Sequence, residues 1–311
     1  MTTTTTPTPS ALRVAPGHGL RKFKNNLATV LVTLAFLIAL VPLVWLLWTV
    51  ISKGYHALAW SGWFTEDVGT RTYHDPGGGA VHAIIGTVEQ VALCSLIAVP
   101  IAVMVGIFLV EYGRGPLART TTFMVDILSG VPSIVAALFI YAVFVTTFSG
   151  QRGGWLVSLA LVLLMIPVIV RTTEEMLKLV PNELREASYA LGVPKWRTVT
   201  KVVVPTAFTG ILTGIMLGIA RVAGETAPLL ILVGYTDNTN TDLFGNGFQG
   251  SLPGMIYAQV TNLGAKRSFT GQPIHNYAVD RMWGAALTLI IIVMGLNLLA
   301  RVIGRYNKVS S

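Results

Sequence analysis

Arg221 and Glu225 stand at the end of a long apolar run, where a charged side chain needs a reason to be present. Gly210, Gly214 and Gly218 precede them at the four-residue spacing that lets two helices approach closely. At about 100° per residue, Arg221 and Glu225 fall roughly 20° and 60° from Gly210, inside the arc of about 80° that the glycines span. The pattern therefore predicts both charges on the packed, interior face of this helix.

The chemistry open to this pair depends on its place in the membrane. A charge at membrane depth is costly and normally pairs with another group or lines a water path. Arg221 could offer its planar fork of N–H donors to a passing oxyanion while Glu225 fixes its orientation. The alternative is a structural ion pair between residues i and i+4, which would hold the chain before Pro228.

Arg171 and Glu174 form a second group of charges, which falls with Glu175 on one helical face within about 100°. Arg171 could be a second station for an anion, or an arginine that reaches the membrane interface. If Pro205 begins its span, Arg221 lies about 24 Å farther along the helix than Pro205, whereas Arg171 lies near the opposite surface. We therefore expect a relay of two weak stations along a substrate pathway.

The elements that position these residues are membrane-spanning helices. Of the 311 residues, 53% are hydrophobic and only 12% are charged, against about 25% charged in soluble domains. Runs near the 20 residues that cross a bilayer occur six times. The six runs are 25–52, 90–110, 127–151, 153–170, 202–220 and 282–300. We predict an all-α polytopic protein with a disordered tail at 1–24, a membrane domain at 25–305 and a second tail at 306–311.

The charge balance predicts the orientation of these spans. Lys and Arg number 22 and the net charge is +8. With both termini in the cytoplasm, 15 of the 22 basic residues fall in the inside segments, as the positive-inside rule requires. The excess of positive charge is then a feature of topology, and we do not expect a nucleic-acid partner.

Several classes of chemistry are excluded by what the sequence lacks. No G-x-x-x-x-G-K-[ST] loop occurs, so the chain has no phosphate-cradling loop of that type for ATP. The five histidines are scattered, and the single cysteine, Cys94, can form no internal disulfide. We predict no enzyme activity, no metal site and no cofactor in this chain.

Three smaller features of the sequence concern the ends of the predicted spans. Trp60 and Trp63, in the loop after the first span, suggest either an interfacial aromatic belt or a docking surface for an external partner. The apolar segment 226–236 is too short to cross and predicts a half-helix or re-entrant segment. Asp126, which opens the third predicted span, is expected to favour a helix N-terminus or to meet interfacial water.

The predicted inside loop 171–205 contains a short helix with signals at both ends. Asn182 can cap the helix, Glu183 suits its positive end, and Gly192 suits a left-handed C-terminal residue. A helix of about nine residues is unstable alone in water, so we expect it to dock on another surface.

This loop resembles a known motif. Glu186-Ala187-Ser188, three residues, Gly192, nine residues and then Val202-Val203-Val204-Pro205 are similar to the E-A-A-x3-G-x9-I-x-L-P loop of ABC importer permeases. In that family the short helix sits in a groove of the cytoplasmic ATPase. The sequence departs from the motif by Ser188 for the second alanine, and by Val202 and Val204 for isoleucine and leucine.

Four further segments of the chain resemble one subgroup of these permeases. They are Leu128-Ser-Gly-Val-Pro-Ser-Ile134, Arg171-Thr-Thr-Glu-Glu-Met-Leu177, the loop through Lys195-Trp196-Arg197, and Ala220-Arg-Val-Ala-Gly-Glu-Thr-Ala-Pro228. Together they resemble the A-type permease subunits of phosphate importers of the Pst system. The resemblance covers roughly residues 25–305.

The resemblance implies the type I permease fold of ABC importers, with six transmembrane helices and a cytoplasmic coupling helix, in a bacterial inner membrane. It implies passage of inorganic phosphate into the cytoplasm, a second homologous permease, a dimeric ATP-binding cassette ATPase that binds ATP and Mg, and an external phosphate-binding protein. The coupling residues it implies are Glu186, Ala187, Ser188, Gly192 and Pro205. Alternatives are a permease for sulfate, molybdate or phosphonate, or an ATP-independent carrier or channel with Arg221 and Glu225 as a relay.

Overall fold

The computed structural model describes residues 18–262 and 275–306, and all regular structure in these ranges is helical. Five of the described helices are long and apolar enough to cross a membrane, and one bent pair makes a sixth candidate. The helices are α1 (His18–Leu58), α2 (Val81–Ile107), α3 (Gly115–Ser129), α4 (Ser133–Ile140), α5 (Gly154–Lys178), α6 (Asn182–Ala190), α7 (Lys195–Thr198), α8 (Val204–Ala223), α9 (Ala227–Leu232), α10 (Leu252–Thr261) and α11 (Tyr277–Tyr306). The all-α membrane class is confirmed.

The spanning helices are longer than the uncharged runs that predict them. Helix α5 continues past its predicted end at Val170 to Lys178, so the first part of the predicted loop 171–205 is helical. Helix α1 begins at His18, so residues 18–24 are helical and do not belong to the predicted tail. Charged residues at the membrane surface can extend a helix without entering hydrocarbon. The uncharged run is therefore shorter than the helix that contains it. Residues 1–17 and 307–311, in the predicted tails, lie outside the described residues.

The third predicted span, 127–151, is wrong as a single helix. Helices α3 and α4 meet at Gly130–Pro132 with a bend of 106°, and α4 continues as a π-helix over Tyr141–Thr147. Pro132 has no N–H and disfavours helical backbone at Val131, so the chain turns there. The predicted half-helix at 226–236 is observed as α9, six residues long with a buried face.

Helix α5 forms the centre of the helical packing. In its most apolar stretch 67% of the residues are buried, against at most 28% in each of the other four long spans. Leu161, Met165 and Ile169 lie in the main apolar cluster together with residues of α2, α4 and α9. Helix α5 therefore forms much of this apolar cluster with its neighbours.

Glycines allow α2 and α8 to approach α5 closely. A Cβ on Gly214 of α8 would lie 2.1 Å from Thr172 Oγ1, and a Cβ on Gly106 of α2 would lie 2.7 Å from Thr173 Cγ2. Along α8, Gly210 faces Met176 and Gly218 faces Ile169. The glycine ladder predicted for close helix approach is confirmed, with α5 as the partner helix.

The loops that are predicted to lie outside pack onto the ends of the spans. Trp63 is fully buried and its Nε1 donates to Thr288 Oγ1 at 3.0 Å. Gly86 and Gly250 touch so closely that a Cβ on Gly86 would lie 2.1 Å from the Gly250 carbonyl oxygen. For Trp63 both predicted roles, a lipid-facing belt and an exposed docking surface, are wrong because the ring is used in internal packing.

The chain up to Thr49 forms a separate unit. It is the described part of α1 before Val50, and it carries Pro42 inside the helix. Its side chains from 21 to 46 are almost all exposed and predominantly apolar.

The Gly214 contact gives a test of the packing. We expect Gly214→Val to destabilise the folded protein by about 1–3 kcal/mol because the new side chain must displace Thr172. Gly295→Val in α11 is the matched control, since a Cβ there meets nothing within 4 Å. The thermal unfolding midpoint of the detergent-purified protein measures both, and equal losses in the two variants would contradict close packing at Gly214.

Candidate functional site

Arg221 lies in the last turn of α8, and its side chain is exposed on the surface of this chain. Thr213 and Leu217, at four-residue spacing before it, are exposed on the same helix. Within the described residues the guanidinium makes no hydrogen bond or ion pair, so its full fork of donors is open to a ligand or a partner. The predicted interior position of Arg221 is wrong for the single chain, because its side chain is exposed although the glycines pack against α5.

Glu225 lies beyond the helix that carries Arg221. Helix α8 ends at Ala223 with Gly224 as its cap residue, and the chain turns before α9 begins at Ala227. The angles used to place Glu225 assume a continuous helix, and that assumption fails at Gly224. No bond joins Glu225 to Arg221 in the described structure, so neither the i, i+4 ion pair nor the orienting role predicted for Glu225 is present.

Arg171 is held by two carboxylates. Its Nη1 donates to Glu174 Oε2 at 2.8 Å, and its Nη2 donates to Asp126 Oδ1 on α3. Glu174 also accepts a hydrogen bond from Lys178 Nζ at 2.6 Å. The Arg171 side chain is 32% exposed, so this charge cluster is partly open to solvent.

Asp126 is a partner that the sequence reasoning missed. It was predicted to favour a helix N-terminus, but it lies in the last turn of α3, next to the bend, and there it pairs with Arg171. The two residues are 45 positions apart, and nothing in the local spacing points to their contact. The predicted helix N-terminus at Asp126 is wrong because residues 127–151 do not form one helix, but its side chain is 56% exposed and so open to water.

Arg171 and Arg221 are closer in height than predicted. Thr172 packs against Gly214 across the antiparallel pair of α5 and α8. Arg171 is therefore nearly level with Gly214, and Arg221 lies about 10 Å farther along the α8 axis at 1.5 Å per residue. Helix α5 extends two more turns beyond Arg171, to Lys178.

The predicted short helix in the inside loop is observed as α6, with nine residues. Gly192 has φ of +75°, and its N–H donates to Tyr189 O at 2.9 Å. The C-terminal signal is confirmed, because this left-handed backbone favours glycine. The Asn182 cap is wrong: Pro181 holds the cap position, and no side chain caps the helix.

Helix α6 is fastened to the membrane helices through two side chains. Arg185 Nη2 donates to Glu111 Oε1 at 2.8 Å, at the end of the α2 span. The buried Ser188 hydroxyl lies 2.8 Å from Thr198 Oγ1 in α7. Ser188, the departure from the alanine of the resembled motif, therefore gives a hydrogen bond that alanine cannot make.

Helix α6 also borders an open groove of about 740 Å³. Its apolar wall includes the exposed side chains of Leu184, Leu191 and Trp196. Ala187 and Ser188 also line the groove, whereas Glu186 is exposed on the helix and Pro205 stands in the first turn of α8. The groove therefore leaves an apolar surface available to another molecule.

The loops that are predicted to lie outside are joined by a second polar cluster. Asp67 accepts hydrogen bonds from the N–H and the hydroxyl of Thr239, both at 2.7 Å. Burial acts to raise the pKa of Asp67, but these bonds outweigh it and hold that pKa below its usual range. Burial raises the pKa of Asp237, and the bond from the Tyr235 hydroxyl at 3.1 Å opposes this only in part. The described part of the predicted external surface is thus held together by its own side chains.

The chain matches one family over residues 98–308, described as the binding-protein-dependent transport system inner membrane component. It is 50% identical over 283 residues to the phosphate transport system permease protein PstA 1 of Mycobacterium tuberculosis H37Rv, covering 91% of this chain and 88% of the relative. It is 39% identical over 285 residues to the phosphate transport system permease protein PstA of Pasteurella multocida, covering 91% and 95%.

Two solved structures share the fold. A methionine ABC transporter, MetNI, in an inward-facing conformation has a TM-score of 0.58 at 21% identity, over 73% of this chain and 95% of that chain. A bacterial alginate ABC transporter has a TM-score of 0.60 at 11% identity, over 95% and 99%. Both likenesses concern the fold, and they confirm the permease fold of ABC importers. The chain belongs to the family of binding-protein-dependent transport system inner membrane components, among the phosphate transport system permeases.

Proposed function

We propose that this chain is a membrane permease subunit of an ATP-driven importer and that inorganic phosphate passes along it into the cytoplasm. The observation that carries the proposal is Arg221, an exposed guanidinium without a partner among the described residues on an otherwise apolar helix. An unpaired cation at membrane depth is costly, and an oxyanion that accepts two parallel hydrogen bonds is its natural ligand. The PstA relatives, named for phosphate transport, support phosphate as that oxyanion.

Arg171 and Glu174 form the second station in this proposal. The anion must compete with Asp126 and Glu174 for the guanidinium of Arg171, so binding there is weak. Weak binding at successive sites lets an ion leave as well as enter. Glu225, in the turn after Arg221, remains our candidate for a residue that lines the pathway.

A second homologous permease completes the pathway in this proposal. Because Arg221 is exposed from the single chain, a further subunit must enclose it before it can face a protected route. The external phosphate-binding protein would meet the outer loops, and a dimeric ATPase would supply ATP and Mg at the other surface. Both termini of this chain then lie in the cytoplasm, as the distribution of basic residues predicts.

Helix α6 is the coupling element in this proposal, and the groove beside Leu184 and Trp196 receives the ATPase. Glu186, Ala187 and Ser188 lie on the helix, Gly192 ends the segment, and Pro205 starts the following span. The bonds of Arg185 to Glu111 and of Ser188 to Thr198 transmit movement of α6 to α2 and α8. No covalent chemistry is assigned to this chain.

The role of Arg221 is tested by uptake. We expect Arg221→Gln to abolish uptake of radiolabelled phosphate in cells that lack the native chain, because the donor fork and its charge are lost. Arg221→Lys keeps the charge without the planar fork and should retain partial uptake. Arg119→Gln is the control, since Arg119 is an exposed arginine of α3 outside the proposed pathway.

Two further measurements sharpen this experiment. Copurification of the ATPase with each variant shows that the complex assembles, and excess sulfate shows whether the route accepts other oxyanions. Normal uptake by Arg221→Gln would remove Arg221 from the pathway. Rescue by the wild type that is lost in sulfate would assign the route to another oxyanion.

The role of α6 is tested by a proline at its end. Gly192→Pro forces φ to about −65° where the chain has +75°, and it removes the N–H that bonds Tyr189 O. We expect the amount of ATPase recovered with the permease to fall strongly. Gly69→Pro in the outer loop is matched, because Gly69 has φ of +61° and donates its N–H to Asp237 O. Equal recovery of the ATPase with both variants would refute α6 as the coupling element.

A further inference from the structure

A polar cavity of about 320 Å³ lies on the face of α6 opposite the groove. It is lined by Glu111, Arg114, Lys178, Arg185, Tyr189 and Lys195, among others. Candidate spans end at Tyr112 and Lys178 beside this cavity, and others begin at Gly115 and Lys195. The ends of four spanning segments therefore meet around the cavity, which places it at the membrane surface.

Two of the four cations at the cavity are neutralised inside the chain. Arg185 donates to Glu111 Oε1 through Nη2 at 2.8 Å and through Nε at 3.1 Å. Lys178 Nζ donates to Glu174 Oε1 at 2.6 Å. Arg185 also donates hydrogen bonds to main-chain oxygens. Arg185 and Lys178 therefore hold the wall of the cavity in place.

Arg114 and Lys195 are the other two cations, and no described carboxylate pairs with either of them. Arg114 is exposed, and in the described structure its side chain forms no hydrogen bond. Lys195 Nζ donates to Glu111 O and lies 4.9 Å from the centre of the Tyr112 ring. Its ammonium group has further N–H donors to offer. The cavity therefore has an uncompensated positive charge.

The start of α6 adds neutral donors to the same cavity. Asn182, its first residue, lines the cavity, and no side chain caps the N–H groups of this first turn. Uncapped N–H groups at a helix start attract anions. Tyr112 and Tyr189 also border the cavity with partly exposed rings, as tyrosines at a membrane surface commonly do.

We propose that this cavity binds a phosphate-bearing anion, either the headgroup of an anionic phospholipid or free inorganic phosphate at the membrane surface. Arg114 and Lys195 supply the charge, and the first turn of α6 supplies main-chain donors. The volume holds a phosphate group with several waters, at about 30 Å³ per water. Basic pockets between spans at the membrane surface bind lipid headgroups by this chemistry.

This site goes beyond the proposed transport function and does not depend on it. The cavity and the apolar groove lie on opposite faces of α6: Asn182 and Tyr189 border the cavity, whereas Leu184 and Leu191 border the groove. An anion in the cavity would bridge α6 to the ends of the spans and leave the groove open. The ligand would thus stiffen the attachment of α6.

The experiment compares two single-arginine variants of the complete transporter in phosphatidylcholine nanodiscs. One arm adds increasing phosphatidylglycerol and counts bound molecules by native mass spectrometry, and the other measures bound radiolabelled inorganic phosphate by equilibrium dialysis without anionic lipid. Arg114→Gln should weaken binding about tenfold in one arm, since one charged donor is lost. Arg119→Gln removes an exposed arginine of the same helix that does not line the cavity, and it should bind as the wild type does.

The arms identify the source of the ligand. Weakened binding of phosphatidylglycerol assigns the cavity to a lipid headgroup, and weakened binding of inorganic phosphate assigns it to the free ion. Phosphate held elsewhere along the chain is equal in the two variants and cancels in the comparison. Lys195→Gln should act in the same direction as Arg114→Gln. Equal binding by the Arg114 and Arg119 variants, whether both unchanged or both weakened, overturns the proposal.

Discussion

Close contact of α5 with α2 and α8 is the interaction on which the placement of the charged residues depends. Two consecutive residues of α5 make these contacts, because Thr173 meets Gly106 of α2 and Thr172 meets Gly214 of α8. Lipid tails are as apolar as a leucine side chain, so helices in a bilayer associate through such close packing rather than through the hydrophobic effect. The register set at Thr172 and Thr173 then fixes the height of Arg171 and of Arg221.

The two arginines that this packing positions differ in their surroundings. Arg171 is bound by Asp126 and Glu174, whereas Arg221 makes no bond to the described residues and stands exposed at the end of α8. A carboxylate presents the same pair of acceptor oxygens to a guanidinium as a phosphate does. In the proposed pathway the carboxylates at Arg171 compete with an oxyanion for its guanidinium, and the fork of Arg221 has no such competitor among the described residues. The two proposed stations, which differ by about 10 Å in height along the α8 axis, should therefore differ in affinity for the anion.

The sequence predicts those features that depend on neighbouring residues. Apolar runs located the spans, the four-residue spacing of Gly210, Gly214 and Gly218 predicted a close helix contact, and Gly192 predicted the end of α6. The predictions fail where a helix break or a contact with a distant residue determines the structure. Helix α8 ends before Gly224, so Glu225 does not lie on the face of that helix. The third predicted span is broken at Pro132. Asp126 pairs with Arg171, which is 45 positions away in the sequence. Helical periodicity carries no information on a pair so distant, because the contact exists only after α3 has packed against α5.

The short helix α6 shows how one element can serve two surfaces of different character. A nine-residue helix has too few internal hydrogen bonds to persist alone, so its position must come from what it touches. Arg185 and Ser188 tie it to the spans with charge-assisted and buried hydrogen bonds, while Leu184 and Leu191 remain exposed beside the groove. The polar attachments are directional, so they resist rotation of the helix, and the apolar groove can accept a partner without breaking them. In the proposed coupling, a push on the groove side reaches Glu111 and Thr198, and through them the ends of α2 and of the span that contains α8.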